Sequence, residues 1–506
     1  MTQDRRYQVI RNAVVLRPGT TQAEPLDILI EGDTIREIGP RGMAAPDEAL
    51  AVDASNRLIH AGLINAHTHG HGTLAKAMGD QWSLELLLAA GPWISGNRSL
   101  EDKYLSASLN AAEMVLKGAT ACYDLFFEVP APSVEGMAAV ARAYGDVGMR
   151  ATIAPMVADL SLYQAIPGLY EALPESLKAA VDKMRLQPYE ATLGDIEAFM
   201  RGEGVDGDRL KLALAPTIPL HCSDDFLGAC RDCARRFGLG LHSHVAESKI
   251  QALSGLKRYG RTLTAHIDEL GLVGPQFTVA HGVWLDPDDM RRLADKGASV
   301  AHNPGSNMRL GSGIADMRGM LEAGVNVAIG TDGSNSADNQ NMYEATRLAS
   351  FASKARGPDY RRWVTTPEAL SAATEGGARA LGFEGKIGRI AVGYKADLVF
   401  VDLDHINWLP HNRTVNQIVH VEDGNAVHSV MIGGRFVVEN RRLTTVDIRA
   451  LGAKAEAARE RLAAANEPMR LLAEKLQDAV GTFCVGLARQ PYQVDRYASR
   501  QGEGAW

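Results

Sequence analysis

Between residues 60 and 333 eight apolar, strand-like runs recur: HAGLINAHTH, TACYDLFF, RATIAPMV, RLKLALAPT, LGLHSHVAE, FTVAHGVW, ASVAHNP and VNVAIGTDG. Helical stretches such as EDKYLSASLNAAEMVLKG and DPDDMRRLADKG separate them. Strands that are apolar throughout need cover on both faces, and a helix after each strand supplies it while returning the chain for a parallel neighbour. Eight such units over about 270 residues match a (β/α)8 barrel, whose usual size is about 250 residues. An α/β fold with a TIM-like catalytic barrel over 61–383 is therefore expected. The connection from 157 to 208 is longer than its neighbours and predicts added helices over one mouth.

The two ends of the chain read differently. Residues 1–60 and 384–448 contain short β runs, among them VIRNAVVL, PLDILIEGDTIREIG and KADLVFVDL, and are expected to meet as one composite β-sandwich beside the barrel. Residues 449–506 read as a helical C-terminal extension, expected to pack on its own barrel or on a neighbouring subunit of a homo-oligomer. The net charge of -8 is spread without a basic stripe, which excludes nucleic acid and anionic membrane as expected partners and leaves a small-molecule substrate. The first ten residues, MTQDRRYQVI, lack a signal-peptide core and no run reaches the roughly 18 apolar residues of a span, so a cytoplasmic protein is expected. Five cysteines are too few for a disulfide scaffold, and Cys230 and Cys233 read as buried on one face of a helix.

In such a barrel the C-terminal strand ends converge on one mouth, where catalysis sits. His67 and His69 end the first run and, being two apart, share a face. His244 ends the fifth, His281 the sixth and Asp332 the eighth. One histidine in an apolar strand is ordinarily a hydrogen-bonded structural residue, but five polar groups at matching strand ends are costly to bury without a cation. His67, His69, His244 and Asp332 are assigned as ligands of one divalent ion, for which this donor set suits zinc, with iron as the alternative. A second ion would want a bridging group at the end of the fourth strand, which ends in Thr217, while Lys211 lies at its beginning.

Glu247 follows His244 by three positions and is suited to carry a proton to a leaving group. Its bland alternative is a surface glutamate capping the next helix. His281 is assigned to polarise the group under attack or to orient water, and His242 to packing below the site. His71, Trp82, Trp93, Phe126, Thr217 and Asn303 are candidate substrate contacts, and each could instead satisfy a turn or pack.

The motifs NAHTH, HVAE, VAHGV, AHNPGSNMRLGSGIA and GTDGS resemble the amidohydrolase superfamily, in particular its metal-dependent deaminase and chlorohydrolase branch. The resemblance covers about residues 8 to 445. It implies a mononuclear site on the four ligands named above, with Glu247 and His281 serving proton and electrophile and Asp332 helping to deprotonate water. It further implies that a metal-bound hydroxide attacks an electron-poor carbon and cleaves a C–N bond. Adenosine-type members carry a histidine where this chain has Thr217, and a carboxylate that GPWIS at 91–95 lacks. Deamination or dealkylamination of a small, rather apolar nitrogen heterocycle is therefore expected. Hydrolysis of an open-chain amide, urea or carbamate is the alternative, and a non-catalytic barrel the third reading.

Overall fold

The computed structural model describes residues 6–184, 186–202, 204–337 and 339–497. The eight runs form one parallel sheet in sequence order: Leu63–His69, Ala119–Phe126, Arg150–Val157, Leu210–Pro216, Gly240–Val245, Phe277–His281, Ser299–His302, and an eighth strand in two pieces, Asn326–Ile329 and Asp332–Gly333. The first piece pairs with the seventh strand and the second with the first strand, Asp332 opposite Thr68 and Gly333 opposite His69, which closes the ring. The break falls at Gly330, where a Cβ would stand 2.8 Å from the backbone N and O of His67. Only glycine lets the eighth strand pass that close to His67 of the first.

The first strand carries a bulge. Asn65 faces Cys122 and Thr68 faces Asp124, so three steps on one strand oppose two on the other. Ile64 joins Ala121, Tyr123 and Leu125 in the cluster that fills the barrel, and Asn65 turns outward to Met114, Thr331 and Gln340. Strict alternation would have put Asn65 on the face of His67 and His69; the extra residue resets the phase just before these two histidines.

Helices Leu162–Ala165, Leu169–Ala172, Glu175–Val181 and Tyr189–Arg201 occupy the long connection between the third and fourth strands. Both chain ends build the second sheet: the strand Arg57–Ala61 pairs with Tyr7–Val15 on one side and antiparallel with Leu398–Asp402 on the other. Gly62 alone separates Arg57–Ala61 from the first barrel strand. Arg150, which opens the third barrel strand, donates from Nε and Nη2 to Asp397 at 2.8 and 3.3 Å, a buried bidentate pair joining barrel to sandwich. All five cysteines are buried and free, Cys230 and Cys233 on the inner face of helix Asp224–Phe237. No helix among the described residues is long and apolar enough to cross a membrane.

Candidate active site

His67, His69, His244 and Asp332 meet at the C-terminal mouth, all buried. His69 and His244 are aimed by backbone. His69 Nδ1 donates to Leu125 O at 2.6 Å, and His244 Nδ1 donates to Thr217 O at 2.6 Å. With Nδ1 on the carbonyl, each Nε2 is an acceptor when its ring is neutral; burial works against a charge on His69, but the Asp332 carboxylate outweighs it and raises the pKa of that imidazole while no cation lies between them. The two Nε2 atoms stand 3.2 Å apart, and Asp332 Oδ1 lies 3.1 Å from the Nε2 of His69. Three converging lone-pair donors repel one another unless a cation sits among them. A proton on His69 would satisfy Asp332, but neither nitrogen of buried His67 has a partner, and its Nε2 is 3.5 Å from Asp332 Oδ1. The donor atoms of His67, His69 and His244 all lie within 4.8 Å of one another, as do those of His67, His281 and Asp332. Imidazole nitrogens with one carboxylate fit zinc or a similar divalent ion.

Charge follows the same geometry. Burial pushes His67 down to about 3 and His244 well below the usual imidazole range, so both are neutral, the form that ligates a metal. Burial works against the Asp332 carboxylate, yet the imidazoles of His67 and His69 hold it well below the ordinary carboxylate range. Burial, with Asp332 and Glu85 nearby, pushes Glu247 well above it.

Glu247 is 1 % exposed, so it is not a surface cap; Ser248 caps the following helix instead, its Oγ accepting from Gln251 N. Glu247 Oε2 has no hydrogen-bond partner and stands 3.6 Å from His281 Nε2, which in turn lies 4.0 Å from Asp332 Oδ2. The short helix Pro304–Arg309 fixes this row: Ser306 Oγ donates to Asp332 Oδ2 at 2.5 Å, and Asn307 Oδ1 accepts from His281 Nδ1 at 2.8 Å. Ala246, His281 and Asp332 hold positive φ of 53°, 69° and 63°. Non-glycine residues keep that conformation only where the surroundings impose it, as at sites that do chemistry.

The candidate substrate contacts divide. His71 stands 5.2 Å from the His69 ring and accepts the Phe127 N–H on Nδ1 at 3.1 Å. Trp82 and Trp93 are half-buried and meet edge to face at 6.0 Å in the loops after the first strand. Phe126 lies in the main hydrophobic core, and it is Phe127 whose ring stands by His71, 5.9 Å away. Thr217 serves His244 through its carbonyl, while its hydroxyl lies 3.5 Å from Met156 Sδ. Asn303 is fully buried, its amide unpartnered, where the eighth strand passes His67 at Gly330. His242 lies 4.9 Å from the His67 ring and 4.4 Å from Tyr123, with neither nitrogen bonded. Lys211 sits at the far end of its strand, its ammonium on Gly382 O and 4.1 Å over the Phe383 ring. Sequence reasoning missed Asn307, and it missed Glu85, a buried carboxylate of the first loop that accepts from Ser248 Oγ at 2.6 Å.

A model of the amidohydrolase family matches residues 58–437. The chain is 32% identical over 428 residues to a 5-methylthioadenosine/S-adenosylhomocysteine deaminase from Caldanaerobacter subterraneus, covering 84% of this chain and 91% of that protein. It is 30% identical over 461 residues to a 5'-deoxyadenosine deaminase from Methanobrevibacter smithii, covering 91% and 99%. Among solved structures, an adenosine deaminase from Xanthomonas campestris with bound zinc superposes with a TM-score of 0.78 at 27% identity, over 90% of this chain and 98% of that one. Atrazine chlorohydrolase from Arthrobacter aurescens, complexed with zinc, shares the fold, with a TM-score of 0.79 at 23% identity over 89% and 99%.

Proposed function

The chain belongs to the amidohydrolase family, and from that premise we propose that it uses one divalent ion, zinc, held by His67, His69, His244 and Asp332, to release ammonia or an amine from an electron-poor heterocyclic carbon. The observation that carries this reading is the 3.2 Å approach of His69 Nε2 to His244 Nε2, each ring committed at Nδ1 to a backbone carbonyl. A divalent ion bound there supplies Lewis acidity and makes water a nucleophile at neutral pH. The absence of a bridging side chain on Thr217, with Lys211 at the opposite end of its strand, supports a single ion.

Asp332 presents Oδ1 to the imidazoles while Ser306 holds Oδ2 on the side of His281, so Oδ2 is placed to take the proton of attacking water. His281 has its Nδ1 proton on Asn307 and leaves Nε2 as an acceptor toward Glu247 and Asp332, which suits it to orient that water. Glu247, buried and inclined to hold a proton, delivers it to the departing nitrogen. Thr217 offers no imidazole and its carbonyl is committed to His244, so recognition at the fourth strand differs from that implied for adenosine-type enzymes. Trp82, Trp93 and Phe127 favour a ring with an apolar substituent.

The test is product identification with zinc-loaded protein on 5'-modified adenosines, free aminopurines and alkylamino-triazines, beside open-chain amides and ureas. Ammonia or amine release from one of the heterocycles, with hydroxyl replacing the amine, is the expected result. Turnover confined to the amides and ureas would replace this reading with the alternative hydrolase, and no turnover of either set would overturn both.

A further inference from the structure

The C-terminal extension holds an arrangement that the chemistry above does not use. Helix Glu467–Ala488 buries Leu476, Val480 and Cys484 in a hydrophobic cluster distinct from the barrel core. The other members of that cluster follow three different barrel strands: Ala89 after the first, Ile166 after the third, and Ile250 and Leu253 after the fifth. Loops that would otherwise move independently thus share one helix as their core.

Beyond this helix the chain reaches the loops after the sixth and seventh strands. Arg496, 5 % exposed, donates from Nε to Val283 O at 2.9 Å and from Nη2 to Leu285 O at 2.6 Å. Its Nη1 lies 3.5 Å from Asp316 Oδ2, and its own carbonyl accepts the Ile314 N–H at 2.7 Å. Trp284, between the two carbonyls, meets Tyr492 and Tyr497 edge to face at 5.9 and 5.0 Å. Its indole N–H donates to Ser312 O and its backbone N–H to Ala246 O, both at 2.8 Å. Ala246 immediately precedes Glu247, and His281 lies two residues before Val283. One buried guanidinium and one indole therefore tie together the segments that carry Glu247, His281 and Asn307. Charge-assisted hydrogen bonds to buried carbonyls are strong, and removing the donor leaves those carbonyls unsatisfied.

We infer that the C-terminal segment is a permanent clamp over the mouth of the site, and that Arg496 is a positioning residue that holds His281 and Glu247 through Val283, Trp284 and Leu285. This also accounts for two of the three left-handed residues at the site, Ala246, whose carbonyl accepts from Trp284 N–H, and His281, two residues before Val283, both of which need outside restraint.

The test compares Arg496→Ala and Arg496→Lys in the full, zinc-loaded chain by hydrogen exchange and by kinetics. Its kinetic arm rests on the proposed hydrolase reading and uses whichever heterocycle that panel yields; the exchange arm needs no substrate. In Arg496→Ala the Trp284 and Ile314 amides are expected to exchange at least about tenfold faster, while amides of the first barrel strand keep their rate. Arg496→Lys, which keeps the charge but not the two-carbonyl fork, is expected to fall between. The value of kcat is expected to drop by roughly 30-fold or more with KM within about threefold, because misplacing reacting groups by an ångström costs on that order. Zinc content is expected to stay unchanged. Unchanged exchange at both amides overturns the clamp even if no substrate has been found, and faster exchange with unchanged kcat overturns the positioning role. If Arg496→Ala does not fold, Arg496→Lys is read by the same two criteria.

Discussion

His60 and His67 lie seven residues apart on one continuous stretch, both buried, and their surroundings are opposite. His60 donates from Nδ1 to Ala61 O at 2.8 Å and pairs its Nε2 with Tyr343 Oη at 2.7 Å. It is a satisfied structural histidine, neutral because burial holds it at about 4. His67 is equally buried and neutral but has no hydrogen-bond partner on either nitrogen. The same contrast holds between clusters. Just behind His67, His69 and Asp332, the side chains of Asn65, Thr68, Thr331 and Gln340 form a closed network: Thr68 and Thr331 donate to Gln340 Oε1 at 2.8 and 2.5 Å, and Gln340 Nε2 donates to Asp332 O at 2.8 Å. Buried polar groups that lock a fold satisfy one another, whereas those that await a ligand do not. His242 is unpartnered too, so the lack of partners separates structure from function here only together with the convergence of His67, His69 and His244 nitrogens on the Asp332 carboxylate.

That contrast is broken most severely at the unsatisfied cluster. Asp332→Asn or His244→Ala is expected to lower turnover by at least about 1,000-fold, since each removes a ligand and the first also removes a base; steady-state rates on the panel substrate check this, and near-normal activity would mean that the ligand set is wrong. Chelation should next destabilise the wild-type fold by about 4 kcal/mol where free zinc had been near 1,000 times its Kd. Paired urea titrations with and without chelator measure it, and coincident curves would contradict a bound ion.

The satisfied cluster should respond in stability instead. Gln340→Ala strands Thr68, Thr331 and Asn65 and is expected to cost about 3 kcal/mol of unfolding free energy while zinc content stays at the wild-type level; loss of zinc with little loss of stability would invert the comparison. The smallest effect belongs to His60. Its folded pKa, about 4, lies below the unfolded value, so the unfolded chain binds the extra proton and stability falls as pH drops from 6.5 toward 4. Between pH 7.5 and 5.5 this one group accounts for about 1.4 kcal/mol. In His60→Gln, which can still bond Tyr343, the unfolding free energy from urea titration should depend less on pH by that amount.

The eight strands were legible because each is apolar on both faces, and the convergence of His67, His69, His244, His281 and Asp332 because a strand end is visible in sequence as the place where an apolar run stops. The bulge at Asn65 was not, since an inserted residue leaves the polar-apolar pattern unchanged while reversing which side chain faces in. Thr217 was weighed by its side chain although it works through its carbonyl, and Arg496 likewise acts on carbonyls; acceptors of that kind carry no residue signature. Phe126 and Phe127 show the same limit, because the strand ends between them and the chain turn decides which ring approaches His71. Glu85 and Asn307 sit on two six-residue helices, Leu84–Ala89 and Pro304–Arg309, whose placement depends on packing that no local period encodes.

The most direct test is the metal content of protein purified without chelators, measured by elemental analysis for the wild type and for His244→Ala. One divalent ion per chain in the wild type, and close to none in the variant, is the predicted result. A wild-type protein without stoichiometric metal, or a variant that retains it in full, would contradict the central claim that the paired Nε2 atoms of His69 and His244 are built around a cation.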